Sequence, residues 1–508
     1  MDSLSEQLAA EFLSQYRSSK VYAADQLSRL AELATSENPG VAEPATRALF
    51  ASLVERLADS FDPEAVSLYN RLFAQLIQLC RRDARASSLD RELSSLGLDA
   101  EAEIVGRAQK LRQVSRLVAP RDWGQELKLL IVLSRVTLGA DIAITSVILE
   151  RMKRCFPNAE IVLLGGNKSA ELFGGDPRLR FNEIAYQRAG ALIERLLSWV
   201  DVLACVRGLT RDLDRGEYLI VDPDTRLTQL GLLPVTSHNL AGLKLRPRSA
   251  ERDGSIAMAR PEYLFFPSRE YGSSTSQSLG ELTSAWLDEV FGDQVTTYPC
   301  VCLDPADINT ARCLVSRMRS NHSRKIVAIN FGVGENPHKR VGGDFEASLV
   351  ARLLQQGNDI VFDKGAGGDE IRRADAVIAE AIRVVRDGRP VRAIEIDGQN
   401  LIGLLNSEHL DAEVLVWNGR IGMLAGLIGA SDLYIGYDSA GQHIAAALGV
   451  PCIDVFAGYS SARMLDRWRP AGKASTRIVA VDPANADDEN HMVERVLGLA
   501  GESWGGRN

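Results

Sequence analysis

The sequence predicts an all-helical region over residues 1–122 followed by two doubly wound α/β domains. Three observations predict it. Apolar residues recur at helical spacing through the first 120 positions. Continuous apolar runs of strand length then alternate with segments of helical period. That alternation pauses near 305–324 and restarts at Lys325. Runs that are apolar throughout, rather than at every second residue, mark strands buried on both faces, as in a parallel sheet.

In the helical region Leu4, Leu8 and Phe12 recur at i+4. Within DPEAVSLYNRLFAQLIQLC, Asp62 suits an N-cap and Pro63 the first helical position. Leu68, Tyr69, Leu72, Phe73, Leu76 and Leu79 then form one stripe. Three to five helices are expected. Their polar residues suggest no chemistry, so the region reads as a module for oligomerisation or partner docking.

The first α/β domain is expected over 123–310. LKLLIVLSR (127–135) and AEIVLLGG (159–166) read as strands, with DIAITSVILERMKRCF (141–156) as the helix between them. WVDVLACVRG and EYLIVDPD read as further strand ends. SLGE (278–281) is a helix capping box. Residues 305–324 read as a linker whose Arg317, Arg319, Arg324 and Lys325 are solvated. The second domain is expected over 324–485. KIVAINFGVG and NDIVFDKGAGGDE are strands running into glycine loops. AEVLVWNG, DLYIGYDSAG and VPCIDVFAG are strands, and FEASLVARLLQQG, IGMLAGLIGAS and QHIAAALG are helices. A last helix (486–508) packs back on either domain.

Bulk properties narrow the function. The 508 residues carry 58 Lys and Arg against 67 Asp and Glu, a net charge of −9. That balance argues against a broad nucleic-acid footprint. No apolar stretch reaches the length of a transmembrane helix. The opening MDSLSEQLAAEFL is acidic and amphipathic, unlike a secretory leader. Seven cysteines, with no Cys-x-x-Cys, lie mostly in apolar runs and read as reduced core thiols. A cytoplasmic location is expected, or a peripheral one at the inner membrane face.

The chemistry concentrates at IGYDSAGQHIAAALGVP. In an open parallel sheet, ligands sit outside the carboxyl ends of the strands. Asp438 to His443 stands at such an end and opens a helix, whose free amides and positive dipole end favour an anion. Ser439, Ala440 and Gly441 are small enough for a phosphate to approach. His443 lies one turn in, as a donor contact or as packing. Gly332 and Gly334 sit in a second loop, which also carries Lys339 and Arg340, with His338 beside them. DKGAGGDE is a third loop. Together these residues describe a diphosphate site.

YIGYDSAGQHIAAALGVPCIDVFAG resembles the Asp-Thr-Gly-x-x-His-x-Ala-Ala-Ala-Leu-Gly-Val-Pro segment of glycosyltransferase family 9, the bacterial heptosyltransferases. FGVGENPHKRVGGDFEASLVARLLQQGNDIVFDKGAGGDE and NGRIGMLAGLIGASDLYIG resemble other parts of that family, in its order. So does LLIVLSRVTLGADIAITSVILERMKRCFPNAEIVLL. The likeness runs over 127–482; residues 1–120 have no counterpart. It implies a GT-B fold, with two Rossmann-like domains facing each other across a cleft. The front one would present the acceptor and the rear one the nucleotide-sugar donor. It also implies inverting transfer without a bound metal, no cofactor beyond the donor, and ADP-heptose as the family donor. Lys339 matches the lysine that meets donor phosphate, Asp438 to His443 the donor-binding turn, and Asp141 the general base.

The residues support such chemistry on their own terms. Charge builds on the leaving diphosphate and needs cations or aligned amides. The acceptor hydroxyl needs a base, and water must be kept out. The acceptor would be a glycan, a glycolipid or a protein. Three departures from the family stand out. Gly139-Ala140-Asp141 has one residue more than the usual Gly-Asp, leaving Asp141 as either the base or an N-cap. Ala440 replaces Gly, and Val341 replaces Trp. Arg135 and Arg269 are candidate acceptor contacts, Arg135 equally a structural ion pair. Asp222-x-Asp224 mimics a metal motif but suits a strand-end cap. One rival reading is a nucleotide-sugar-binding scaffold without a base. Another is an enzyme acting on the donor alone, using Asp363, Asp369 or Glu370.

Overall fold

The computed structural model describes residues 2–114, 127–186, 190–236, 262–318, 324–334, 336–385, 390–397, 400–481 and 489–505. Five strands, β1 (Leu129–Leu133), β2 (Glu160–Gly165), β3 (Leu179–Glu183), β4 (Tyr218–Asp222) and β5 (Tyr263–Phe265), form one sheet in the order 3-2-1-4-5. Seven more, β6 (Ile326–Asn330), β7 (Asp359–Asp363), β8 (Ala393–Ile396), β9 (Val414–Trp417), β10 (Leu433–Tyr437), β11 (Cys452–Phe456) and β12 (Thr476–Ala480), form a second in the order 12-11-10-6-7-9-8. The β1–β2 and β6–β10 pairs, like their neighbours, are parallel. In the first sheet the strand order reverses between β1 and β4, in the second between β6 and β10. Those two switch points are where an open sheet leaves a crevice.

β1, β4, β6, β7, β10 and β11 are buried along their whole length. One apolar cluster joins the two domains, holding Leu130 and Val132 with Ile326, Ala328 and Ile444. Pro305–Met318 lies within it. The expected linker is therefore largely a helix, packed on Ile421–Ala430. Gly422 and Gly426 allow the approach: a Cβ on either would stand 2.8–3.0 Å from Asp307 or Ala311. Arg324 is bound to the Gly357 carbonyl and Asp359 rather than solvated; Arg319 lies outside the described residues. Glu489–Gly505 packs on the outer face of the second sheet, burying Met492, Val493 and Val496.

WVDVLACVRG is not a strand. It belongs to the helix Leu192–Thr210. Trp199 and Leu203 face one core and Val202 and Val206 another, so its apolar residues lack a one-sided period.

The helical region forms six helical segments among the described residues. The Asp62 carboxylate accepts from the amides of Glu64 (2.8 Å) and Ala65 (3.4 Å), and Pro63 opens the helix. This region is no detached module. Its core continues into Leu192, Trp199, Leu230 and Leu233 of the first α/β domain. Arg107 donates to the Gly231 carbonyl at 3.0 Å, and the Arg269 guanidinium stacks 4.5 Å from the Tyr69 ring. Among the described residues no helix is long and apolar enough to cross a membrane.

Candidate active site

The carboxyl ends of both sheets open into one cleft of about 2210 Å³, lined also by the helical region through Phe50, Asp59 and Asp62. That exceeds the roughly 300–1,000 Å³ of an ordinary small-molecule pocket and suits two substrates together.

On the second domain, β10 ends at Tyr437 and the helix Ala440–Leu448 begins after Ser439, which is extended at φ −153°. The first amides of a helix have no intrahelical acceptor; here the residues bearing them, Ala440 and Gly441, line the cleft. Lys339 reaches the same point from the loop after β6. Its Nζ lies 2.5 Å from Asp438 Oδ2 and 3.3 Å from the Asp438 carbonyl. Gln442 Nε2 donates to Asp438 Oδ1 at 2.8 Å. Burial alone would lower the Lys339 pKa, but the Asp438 carboxylate outweighs it and the net shift is upward. The structure therefore brings Lys339, Asp438, Ser439, Ala440, Gly441 and His443 together.

His443 is 3% exposed, its ring edge-on to Trp468 at 6.2 Å. Burial drops its pKa to about 4, so the imidazole is neutral. Gly441 has a structural reason of its own: a Cβ there would stand 2.1 Å from Tyr434 Oη.

The glycine loops converge, but an internal anion occupies their amides. Val333 and Gly334 each donate to Glu370 Oε1 at 2.9 Å, and Ala366 donates to Oε2 at 2.8 Å. Gly332 N–H bonds Asn330 Oδ1 at 3.0 Å. Gly332 and Gly334 thus line the cleft with their amides already used. Arg340 stands 4.0 Å from the same Glu370 and also lines the cleft.

Asp141 does not face the cleft. It is fully buried and accepts four hydrogen bonds: from Ser134 Oγ and the Arg135 amide at 2.6 Å each, and from Thr145 Oγ1 and Ser169 Oγ at 2.8 Å each. It is no N-cap either, since the helical stretch begins at Leu138 and passes through Asp141. Gly139 lies against the cleft, and the four donors hold the Asp141 carboxylate in the core. A Cβ on Gly139 would lie 3.0 Å from His443 Cδ2, so the two domains touch here.

The two candidate acceptor residues are held by protein partners. Arg135 Nη1 donates to the carbonyls of Pro223 (2.7 Å) and Asp224 (2.6 Å) and to Ser268 Oγ (2.9 Å). Arg269 pairs with the Asp224 carboxylate at 3.0 Å and is 3% exposed. Both still line the cleft. Asp222 is likewise occupied, by the Thr225 amide and the hydroxyls of Thr228 and Tyr263. Asp363 binds Asn330, and Asp369 is exposed.

Sequence reasoning missed Asp59 and Asp454. Asp454, on β11, is fully buried, and neither oxygen has a hydrogen-bond partner among the described residues. Burial, then the neighbouring Asp438, pushes its pKa well above the usual carboxylate range. A lone acid inside an otherwise apolar strand run, CIDVF, could have marked it as buried. Asp59 carries no local signal; only tertiary contact brings it to the cleft.

No family model matches the sequence, and no curated protein matches it. Solved structures do. A glycosyl transferase family 9 structure from Veillonella parvula is similar over 75% of this chain and 100% of its own, at 14% identity and a TM-score of 0.50. E. coli ADP-heptose lps heptosyltransferase II covers 73% of this chain and 98% of its own (13% identity, TM-score 0.45). E. coli heptosyltransferase WaaC with ADP covers 74% and 100% (12% identity, TM-score 0.47). The chain thus has the two-domain GT-B fold seen in the family 9 structure, with about a quarter of its length added to it.

Proposed function

We propose that the protein is an inverting glycosyltransferase, moving a sugar from a nucleotide diphosphate donor to an acceptor hydroxyl. One observation carries the reading: Lys339 meets the tip of the helix Ala440–Leu448 at the second sheet's switch point, opposite the end of β1. A diphosphate set there would receive the amides of the helix tip and the ammonium of Lys339, with Arg340 nearby. These groups would neutralise the charge that builds on the leaving oxygen, with no need for a metal. His443, neutral, would donate or pack without adding charge. Arg135 and Arg269 would present fixed positive edges on the acceptor side. A single displacement across the cleft inverts the anomeric carbon. Heptose is the sugar the family likeness favours. The acceptor would be a glycan, a glycolipid or a protein, reached from the cytoplasm or the inner membrane face.

Thermal-shift measurements with ADP-, UDP- and GDP-linked sugars test this reading. At least one should raise the melting temperature, and Lys339→Ala should abolish the rise. No rise with any of them would sink it. A second reading, a nucleotide-sugar-binding scaffold, is favoured by the burial of Asp141. It predicts nucleotide binding without release of nucleoside diphosphate from any donor.

A further inference from the structure

Glycosyl transfer needs a base, and Asp141 is consumed by four donors inside the first domain. Glu6, Glu55 and Glu183 line the cleft but are exposed, and the other cleft carboxylates that are at least partly buried, Asp59 apart, are engaged. Asp438 holds Lys339 and Gln442. Glu370 holds the loop amides, Asp363 holds Asn330, and Glu171 accepts the Gly422 amide at 3.0 Å.

Asp59 differs from all of these. It ends the helical stretch 39–58 of the helical region, is partly buried and lines the cleft. Its carboxylate makes no hydrogen bond or ion pair among the described residues, yet Lys339 and Asp438 lie within electrostatic reach of it. The turn that carries it is fixed to the donor domain. Arg463 Nη1 donates to the Phe61 carbonyl at 2.9 Å. Phe61 adopts a left-handed φ of +51° and is 3% exposed. Its ring meets Trp468 at 6.3 Å, and Trp468 in turn meets His443. Most of the helical region's buried residues belong to a separate core, but Phe61 is embedded in the one that joins the two α/β domains. A left-handed non-glycine residue persists only where its surroundings over-determine it.

We propose that the turn at 59–62 completes the active site and that the Asp59 carboxylate is the general base. This rests on the glycosyl-transfer reading. In the step, Asp59 takes the proton of the acceptor hydroxyl as its oxygen bonds the anomeric carbon. The bond from that carbon to the diphosphate breaks, and its electron pair leaves with the nucleoside diphosphate beside Lys339. The added helical region thus serves catalysis, supplying the group that the front domain has turned inward.

The charged groups facing Asp59 are Glu55 on its own helix, Arg226 after β4, Lys339 after β6 and Asp438 after β10. Burial first, then Glu55, raises its pKa to about 6, which suits a base near neutral pH.

The test uses the full chain with ADP-heptose and with UDP-glucose, reading release of ADP or UDP, with water accepting the sugar when no other acceptor is added. Calorimetry with ADP and UDP reports binding separately. Asp59→Asn should keep nucleotide affinity and lose about 10²–10⁴-fold in release rate. Asp59→Glu should keep part of the rate with a displaced acid limb. Asp59→Asn releasing nucleotide within about threefold of wild type overturns the assignment. Wild type that binds nucleotide but releases none also overturns the base and leaves a binding protein. Wild type that binds no nucleotide overturns the glycosyl-transfer reading itself.

Discussion

The Lys339 ammonium stands 2.5 Å from one oxygen of Asp438, while Gln442 holds the other at 2.8 Å. This pair ties the loop after β6 to the turn after β10, the two edges of the second crevice. Lys339→Met leaves a carboxylate that is 5% exposed without its cation. We expect a loss of about 2 kcal/mol in urea unfolding, below the roughly 3–5 kcal/mol of a fully buried pair, because the Lys339 side chain is 22% exposed. Nucleotide affinity should fall by about 10–100-fold, the worth of a hydrogen bond to a charged group. Adding Asp438→Asn should recover much of the stability and none of the affinity.

Asp59 predicts stability in the opposite direction. Its folded pKa, about 6, lies above the ordinary carboxylate value because of burial. Between roughly pH 4 and 6 the unfolded chain gives up this proton while the folded chain keeps it. The unfolded state then binds fewer protons, so stability falls as pH rises through that window. Asp59→Asn should therefore melt higher than wild type at pH 7, and the gap should close at pH 4. Equal melting temperatures at pH 7 would mean that the carboxylate carries no burial penalty.

For Asp141 the expectation is structural. In Asp141→Asn the remaining carbonyl oxygen can keep the Arg135 amide and Thr145, but the NH₂ then faces the Ser134 and Ser169 hydroxyls, which donate to the carboxylate and lose their acceptor. We expect a cost of about 1–3 kcal/mol, that of an unsatisfied buried group. Nucleotide release per folded molecule, and its pH profile, should stay close to wild type. A loss as large as that of Asp59→Asn would return the base to Asp141.

Gly441→Ala drives a methyl to within 2.1 Å of Tyr434 Oη. Overpacking of this kind costs about 1–3 kcal/mol. Tyr434→Phe removes the nearest atom, leaving ring carbon Cζ at 2.7 Å. The double variant should therefore be more stable than Gly441→Ala alone in chemical denaturation. A penalty that Tyr434→Phe leaves unchanged would place the glycine's constraint elsewhere.

The strands that escaped sequence reading share one physical trait. β3, β5, β8 and β12 are the four edge strands of the two sheets. Three of them, LRFNE, AIEI and TRIVA, are largely half-exposed or exposed. An edge strand need not be apolar throughout, so its sequence lacks the signal that marks a central one. The helix Leu192–Thr210 was misread for the converse reason: burial on two sides erased its period. Within the site, Lys339 and the turn at Asp438 to His443 were legible because strand end, small residues and helix start are neighbours along the chain. Glu370 was not legible as the occupant of the first glycine loop's amides, because Val333 and Gly334 lie more than thirty residues away.

What the sequence by itself determined is local: two sets of buried parallel strands, the helix opening after Asp438, and a lysine in the loop after β6. What only the tertiary structure decided is which carboxylate meets the cleft. Four donors hold Asp141 in the core, and the packing of Phe61 on Trp468 delivers Asp59 from the far end of the chain. Both outcomes depend on contacts between distant segments, whose free energy is set by the fit of surfaces and leaves no pattern at either position.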